Sequence, residues 1–331
     1  MATRTRKPKP APRTRPLTTY SPPTPGEIPR RALGKTGEYV SALGLGGFHL
    51  GLIGTERDAI RIVHAAIDAG ITFMDNAWEY NDGKSEERMG KALADRRDRV
   101  FLMSKVCTHG RDAKVGMRQL EESLRRLKTD YLDVWQIHEV AFYNDPERHF
   151  MKGGVIEALD RAKREGKVRF VGFTGHKDPA LHLRMLSYDY PFDTVQMPLN
   201  CFDATFRSFE QQVLPELLRR GIAPLGMKSM SGEGIQVKKK VVTAQEALGY
   251  AMSLPVATTI SGIDSMRVLK QNLGVACGFK PWTTKQMQAL RTRVAEQASD
   301  GRFELYKTTA NHEAKVGREQ HGFPPPDEQE T

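Results

Sequence analysis

The chain has 331 residues, of which 39% are hydrophobic and 27% are charged, as in an ordinary globular protein. Its three cysteines, Cys107, Cys201 and Cys277, form no Cys-x-x-Cys pair, which argues against a zinc site or an iron–sulfur cluster. No apolar run approaches the roughly 18 residues of a membrane helix, and no secretory leader is recognisable. We therefore expect a cytoplasmic protein without a membrane partner.

Most of the net charge of +10 lies at the amino terminus. Residues 1–31 hold eight basic residues and one acidic residue, so that only about +3 remains for the rest of the chain. Residues 1–27 are rich in Pro, Arg, Lys and Thr, which predicts a disordered basic tail. Because the charge is confined to this tail, we expect no nucleic-acid partner. An interaction or targeting arm is the alternative for the tail.

From Ile28 onward, apolar strand-like runs alternate with helical segments. A hairpin is predicted first, from Arg30–Leu33 and a strand starting at Tyr39, joined by turn residues 34–37. Eight runs are predicted as strands: Ala42–Leu45, Thr72–Asp75, Val100–Lys105, Tyr131–Ile137, Val168–Thr174, Thr194–Met197, Ile222–Met227 and Thr258–Ser261. The predicted helices are Glu56–Ala69, Ser85–Ala94, Val115–Leu127, Val155–Glu165, Phe209–Arg219, Ala244–Met252 and Thr283–Ala298.

This alternation predicts an α/β fold with a parallel sheet, and eight units fit a closed (β/α)8 TIM barrel. We expect the barrel over residues 28–280 and a helix and extension over residues 281–331 that packs on it. The aromatic residues Phe303, Tyr306 and Phe323 suggest that this extension crosses the barrel mouth. A doubly wound dinucleotide fold is the alternative, but the glycines at 44, 46 and 47 lack the third glycine of its phosphate-binding motif.

Several polar residues stand where the predicted strands end, which is the face that carries the active site in such barrels. Asp75 ends one strand, Tyr80 lies in the loop behind it, Lys105 ends the next strand and His138 follows the third. Gln196 lies at the end of a later strand. We expect these side chains to converge at one mouth.

Four of these residues, Asp75, Tyr80, Lys105 and His138, suit carbonyl reduction. A tyrosine hydroxyl can protonate the developing alkoxide, and a nearby ammonium such as Lys105 is expected to lower its pKa from about 10. Asp75 can pair with that ammonium at depth. His138 can donate a hydrogen bond to the substrate oxygen.

The motifs that hold these four residues resemble the aldo-keto reductase signature. They are Asp75-Asn-Ala-Trp-Glu-Tyr80 with Ser85-Glu86-Glu87, Ser104-Lys105, and Asp130-Tyr-Leu-Asp133 running to His138. The resemblance extends from about Arg31 to about Leu273. It implies a barrel that binds NADP or NAD across its mouth and a catalytic tetrad of Asp75, Tyr80, Lys105 and His138, with Tyr80 as the acid.

The resemblance also implies residues that bind the cofactor and the substrate. The implied cofactor-binding residues are Gly47, Phe48, Asp75, Thr174, Gly175, Gln196, Met227, Lys228, Met230, Gly262, Asp264, Gln271 and Asn272. The implied substrate-side residues are Phe48, Trp78, Glu79 and His138. Lys228 is a candidate phosphate partner, and Ser229 to Gly234 a loop over the pyrophosphate.

This sequence departs from the family pattern at several of these positions. Gly175 stands where the family has an asparagine, Met227 where it has an aromatic residue, and Glu79 where an apolar residue is frequent. The family's cations for the 2′-phosphate of NADP are replaced by Gly262 and Val268, so that NADP is only slightly favoured over NAD. No histidine has a metal-ligand spacing, and no metal is expected.

The predicted function is reduction of an aldehyde or ketone by hydride transfer from NAD(P)H, with a small-molecule carbonyl substrate. The alternative is a cofactor-binding regulatory or sensor protein with little turnover, as some members of the family are. The identity of the carbonyl and the oligomeric state do not follow from the sequence.

Overall fold

The structure, a computed structural model, describes residue 24 and residues 26–107, 112–310, 312, 313 and 315–324, without the side chain of residue 316. The predicted disorder of residues 1–27 therefore falls almost entirely outside the described residues. The other predictions can be compared with the structure element by element.

The described residues form ten strands, and eight of these make a closed parallel barrel. In chain order they are β1 Arg30–Ala32, β2 Tyr39–Ser41, β3 Leu43–Gly46, β4 Phe73–Asp75, β5 Phe101–Val106, β6 Leu132–Ile137, β7 Val168–Thr174, β8 Thr194–Pro198, β9 Ala223–Met227 and β10 Thr258–Gly262. Strands β3 to β10 follow one another around the barrel, and β10 closes on β3. The predicted barrel is confirmed, with every predicted barrel strand within about one residue of its position, because buried parallel strands are short apolar runs.

The predicted hairpin is also confirmed, and it closes the amino-terminal end of the barrel. β1 pairs antiparallel with β2, and Leu33 and Val40 pack among the residues that fill the barrel interior. Glu38 pairs with Arg169 at the start of β7, and Arg169 also donates to Asp133 Oδ1 over 2.8 Å. These contacts leave the opposite end, where the strands finish, as the open mouth.

In the described part of the chain, fifteen α-helices surround the barrel or lie in its loops. They are α1 Phe48–Leu52, α2 Glu56–Asp68, α3 Lys84–Ala92, α4 Ala113–Leu127, α5 Asp145–Phe150, α6 Val155–Arg164, α7 Pro179–Leu186, α8 Phe209–Gln212, α9 Leu214–Arg220, α10 Ser231–Lys238, α11 Ala244–Ser253, α12 Met266–Ala276, α13 Thr284–Val294, α14 Leu305–Thr308 and α15 Lys315–Gln320. Among the described residues, none of these helices combines the length and apolar character needed to cross a membrane.

Two helical predictions need correction. The helix expected over Phe209–Arg219 is two helices, α8 and α9, because Pro215 lacks a backbone N–H and starts a new helix. The loop expected from Ser229 to Gly234 runs into α10, although Gly232 and Gly234 keep left-handed φ angles of 72° and 71°.

The carboxyl-terminal extension lies over the barrel mouth, as predicted, and a buried ionic cluster fastens it there. Lys307 Nζ donates to Asp203 Oδ1 over 2.6 Å and to Glu304 Oε2 over 2.8 Å, and all three side chains are buried. Next to this cluster, Asn200 Nδ2 donates to the hydroxyl of Tyr306 over 3.0 Å. Burial raises the pKa of Asp203 to about 7 despite the neighbouring ammonium.

We expect Lys307→Met to destabilise the protein by about 3–5 kcal/mol, because it leaves two buried carboxylates without a cation. Urea denaturation of the variant measures this loss. Lys315→Met is the matched control, since Lys315 is exposed on α15 and its pair with Glu319 spans 3.8 Å. An equal loss of stability in both variants would contradict the anchoring role of Lys307.

Candidate active site

The four residues predicted as the tetrad come together at the barrel mouth. Asp75 is the last residue of β4, Lys105 lies near the end of β5, and His138 follows β6 directly. Lys105 Nζ donates to Asp75 Oδ1 over 2.5 Å, to the carbonyl of Asn76 over 2.8 Å and to Tyr80 Oη over 3.0 Å. The ring of His138 meets that of Tyr80 edge-on, with centroids 5.5 Å apart.

A tight turn after Tyr80 makes this convergence possible. Asn81 and Asp82 have left-handed φ angles of 53° and 55°, and Gly83 has a φ of 85°. Asn and Asp tolerate this region better than other side chains. Glycine is favoured at position 83 because side chains rarely adopt its φ, and the Arg126 guanidinium lies 2.4 Å from where a Cβ would stand. The chain therefore reverses immediately behind Tyr80 and enters α3.

The Ser85-Glu86 pair of the signature has a structural role. Ser85 Oγ donates to the carbonyl of Gly47 over 2.6 Å, which ties α3 to the loop after β3. Glu86 is buried and accepts from Ser104 Oγ over 2.6 Å and from Arg126 Nη1 over 3.2 Å. These bonds hold α3 against β5 and α4, and so fix the loop that carries Tyr80.

The electrostatic prediction for Tyr80 was wrong in sign. Burial raises the pKa of the Tyr80 hydroxyl well above its ordinary value, and the carboxylates of Asp75, Glu79 and Glu139 raise it further. Burial also lowers the pKa of Lys105, against the opposing pull of Asp75. Tyr80 is therefore a protonated phenol at neutral pH, which is the form that an acid needs.

Two carboxylate–histidine pairs at the mouth were not predicted. Glu79 Oε1 lies within hydrogen-bond distance of His138 Nδ1. Glu139 Oε1 lies 3.2 Å from His176 Nε2, and both of these side chains are buried. The sequence did contain a signal for these pairs, because Glu79 and Glu139 are each adjacent in the chain to a predicted tetrad residue.

The predicted carboxamide-binding residues lie at the ends of β7 and β8. Thr174 and Gln196 are opposite each other in the β7–β8 pairing, and both are buried. Gln196 Oε1 accepts no hydrogen bond from any residue that the structure describes. A Cβ on Gly175 would lie 2.6 Å from the carbonyl of Val140 and 2.7 Å from His182, so the family's asparagine has no room at this position.

Lys228 follows β9, and the carboxylates of Glu139 and Glu233 act on its ammonium only by longer-range attraction. Its Nζ lies 5.1 Å from the ring centroid of Tyr306, and across the described residues it makes no hydrogen bond or ion pair. Burial, the largest cause, lowers the pKa of Lys228 to about 8. Met227 and Met230, on either side of it, are half-buried.

The predicted adenosine-side residues lie at and behind the end of β10. Gly262 and Asp264 are exposed, and the ring of His49 covers Gly262 so closely that a Cβ there would lie 2.2 Å from it. On α12, Asn272 Nδ2 donates to Ser261 Oγ over 3.0 Å, whereas Gln271 is half-buried. Asn272 therefore fastens α12 to β10.

Of the predicted substrate-side residues, Phe48 lies at the barrel mouth and Trp78 faces a helix. Phe48 is 47% exposed and its ring meets that of Tyr80 edge-on at 5.5 Å, so it lies at the mouth with Gly47 beside it. Trp78 Nε1 donates instead to Glu122 on α4 over 2.7 Å, which holds the indole on the helical side of the loop. A contact between Trp78 and a substrate stays a prediction. Within the described residues, no group of three His, Cys, Asp or Glu side chains could hold a metal ion.

Comparison with known proteins agrees with this geometry. Residues 42–241 match the model of the aldo/keto reductase family. Aldo-keto reductase YhdN of Bacillus subtilis is 32% identical over 202 residues, which cover 56% of each chain. L-galactose dehydrogenase of Arabidopsis thaliana is 31% identical over 229 residues, 63% of this chain and 69% of that protein.

A solved structure shows the same fold. The aldo/keto reductase from Klebsiella pneumoniae, in complex with NADP and acetate, has a TM-score of 0.64 at 24% identity and covers 82% of this chain and 96% of its own. Since the family model spans more than half of the sequence, the chain belongs to the aldo/keto reductase family.

Proposed function

We propose that the protein is an oxidoreductase that reduces an aldehyde or ketone with a nicotinamide cofactor, with Tyr80 as the proton donor. The observation that carries this proposal is the buried Lys105 ammonium, which joins Asp75 to the Tyr80 hydroxyl. A small-molecule carbonyl is the proposed substrate, and the cytoplasm, where free cysteines persist, is the proposed location. Residues 28–280 are proposed as the catalytic barrel and residues 281–331 as its carboxyl-terminal extension.

The mouth offers unmatched polar groups that fit such a cofactor. Gln196 Oε1 and Thr174 suit the carboxamide of a nicotinamide, and the lone ammonium of Lys228 suits a phosphate. Met227 can cover a ring face with its thioether. When bound, the reduced nicotinamide supplies a hydride to the carbonyl carbon.

The residues of this chain supply the proton and hold the substrate oxygen. Tyr80 Oη gives its proton to the oxygen that becomes the alcohol, and the Lys105 ammonium stabilises the tyrosinate that forms. Asp75 keeps Lys105 charged at depth, because an opposite charge favours the charged form. His138 donates a hydrogen bond to the same oxygen, which stabilises developing negative charge.

Two measurements test this function together. Fluorescence titration with NADPH and with NADH is expected to show binding of at least one cofactor, and a panel of aldehydes and quinones is expected to show turnover. The cofactor that binds more tightly shows whether the protein prefers NADP or NAD. The sequence does not decide this, because Gly262 and Val268 supply no cation for the 2′-phosphate. Tight binding without turnover on any carbonyl, with a co-purifying protein, would instead favour the regulatory alternative.

Cofactor binding is expected to weaken as pH rises through about 8. The pKa of Lys228 is lowered to about 8, so its ammonium is charged below that pH and neutral above it. A charged hydrogen bond to phosphate contributes about 1.5–3 kcal/mol, or roughly tenfold to a hundredfold in affinity. Cofactor titrations of the parent from about pH 7 upward measure how steeply the affinity falls with pH.

Lys228→Met is the matched variant for this prediction. We expect it to bind the cofactor weakly at neutral pH and with little further change above pH 8, because it has no ammonium to lose. If the cofactor affinity of Lys228→Met falls with pH as steeply as that of the parent, another group is responsible for the pH dependence.

A further inference from the structure

Glu79 and His138 form a contact that joins two separate loops of the mouth. Glu79 lies in the turn after β4, immediately before Tyr80, and its Oε1 meets Nδ1 of His138 at the end of β6. The two side chains are only 17% and 13% exposed, so the contact is largely shielded from solvent. A carboxylate therefore lies against Nδ1 of the ring that the proposed function assigns to the substrate oxygen.

The neighbouring acids have other partners. Asp75 accepts from Lys105, and Glu139 lies 3.2 Å from His176. Besides Glu79, the titratable groups that interact with the His138 ring are Tyr80, at a centroid distance of 5.5 Å, and His176 in the segment after β7. Glu79 is the acid that contacts His138 Nδ1.

The chemistry of this contact determines what the other ring nitrogen can do. A carboxylate only accepts hydrogen bonds, so it keeps a hydrogen on Nδ1. Nε2 is then an acceptor when the ring is neutral and a donor only when the ring is doubly protonated. Donation to a carbonyl oxygen thus requires the doubly protonated ring, whereas the neutral ring accepts a hydrogen bond from an alcohol.

We propose that Glu79 is a positioning residue that fixes the tautomer and orientation of His138, so that Nε2 faces the substrate oxygen. This inference rests on the proposed carbonyl reduction. It adds a specific consequence, namely that the hydrogen-bonding character of residue 79 determines whether the neutral ring presents Nε2 as an acceptor or as a donor.

A double-mutant cycle tests the dependence on His138. Glu79→Leu is expected to lower kcat about tenfold to a hundredfold with little change in KM, since an unoriented acid–base group loses most of its effect. In a His138→Ala background the same substitution is expected to change kcat by less than about twofold. Equal losses in both backgrounds would overturn the proposal. Glu87→Gln, exposed on α3, is the control and is expected to match the parent.

Glu79→Gln tests the tautomer. The amide can donate to Nδ1 and leave the hydrogen on Nε2, so the neutral ring of this variant is expected to donate to the carbonyl oxygen and to reduce carbonyls at the parent rate or faster. A loss of carbonyl reduction in Glu79→Gln as large as the loss in Glu79→Leu would contradict the proposal.

Nitrogen NMR of His138 gives a measurement that needs no turnover. The neutral ring is expected to carry its hydrogen on Nδ1 in the parent and on Nε2 in Glu79→Gln. Hydrogen on Nε2 in both proteins would overturn the role of Glu79 even if carbonyl reduction were established. If the parent carries the hydrogen on Nδ1 but turns over no carbonyl, the pairing of Glu79 with His138 is supported. Only the proposed function is then contradicted.

Discussion

Tyr80→Phe is expected to lower the rate of carbonyl reduction by about a hundredfold to ten-thousandfold, the usual contribution of a positioned acid. The substitution removes one oxygen and keeps the ring, so the edge-on contacts with Phe48 and His138 can persist. Cofactor binding is expected to stay at the parent level, because the unmatched groups that suit the cofactor lie on Gln196 and Lys228. Steady-state kinetics and cofactor titration of the same preparation measure both effects.

Tyr188→Phe is the matched control for this variant. Tyr188 is 40% exposed, and its hydroxyl donates to Glu147 over 3.4 Å at the surface. We expect this control to reduce carbonyls at the parent rate. Parent-level turnover by Tyr80→Phe would show that another group supplies the proton.

Lys105→Met is expected to lower both activity and stability. The methionine removes the ammonium that stabilises the tyrosinate, so we expect the rate to fall by about a hundredfold or more. It also leaves the buried Asp75 carboxylate without its cation, which costs about 3–5 kcal/mol of unfolding free energy. Kinetics and urea denaturation measure the two losses separately.

The double variant Lys105→Met with Asp75→Asn separates these roles. Neutralising Asp75 removes the unpaired buried charge, so stability is expected to recover substantially while activity stays low. Recovery of activity together with stability would mean that Lys105 acts only on the fold. If stability does not recover in the double variant, the hydrogen bond of Lys105 to the carbonyl of Asn76 is its main structural contact.

The prediction of the barrel from sequence succeeded because its signals are local. Buried parallel strands are short apolar runs, and each was recognisable without knowing its neighbours. The convergence of Asp75, Lys105 and His138 followed from topology alone, since the carboxyl ends of parallel strands share one face. Tyr80 lies at the same face only if its loop returns there, and residues 81–83 are of types that favour such a turn.

The contacts that sequence reasoning missed join distant segments or depend on solvation. The sign of the pKa shift of Tyr80 depends on burial and on three carboxylates, two of which, Glu79 and Glu139, had no predicted electrostatic role. The anchor of the carboxyl-terminal extension joins Lys307 to Asp203, about a hundred residues earlier. Neither effect has a periodic signature in the chain.

The sequence by itself therefore determined the barrel, its open end and the four residues that meet there. Only the tertiary structure decided that the pKa of Tyr80 is raised, that Glu79 contacts His138, and that Lys307 anchors the extension. The physical reason is that strand patterns and strand-end positions are properties of local sequence. Desolvation and ion pairing depend instead on which groups the complete fold places beside one another and shields from water.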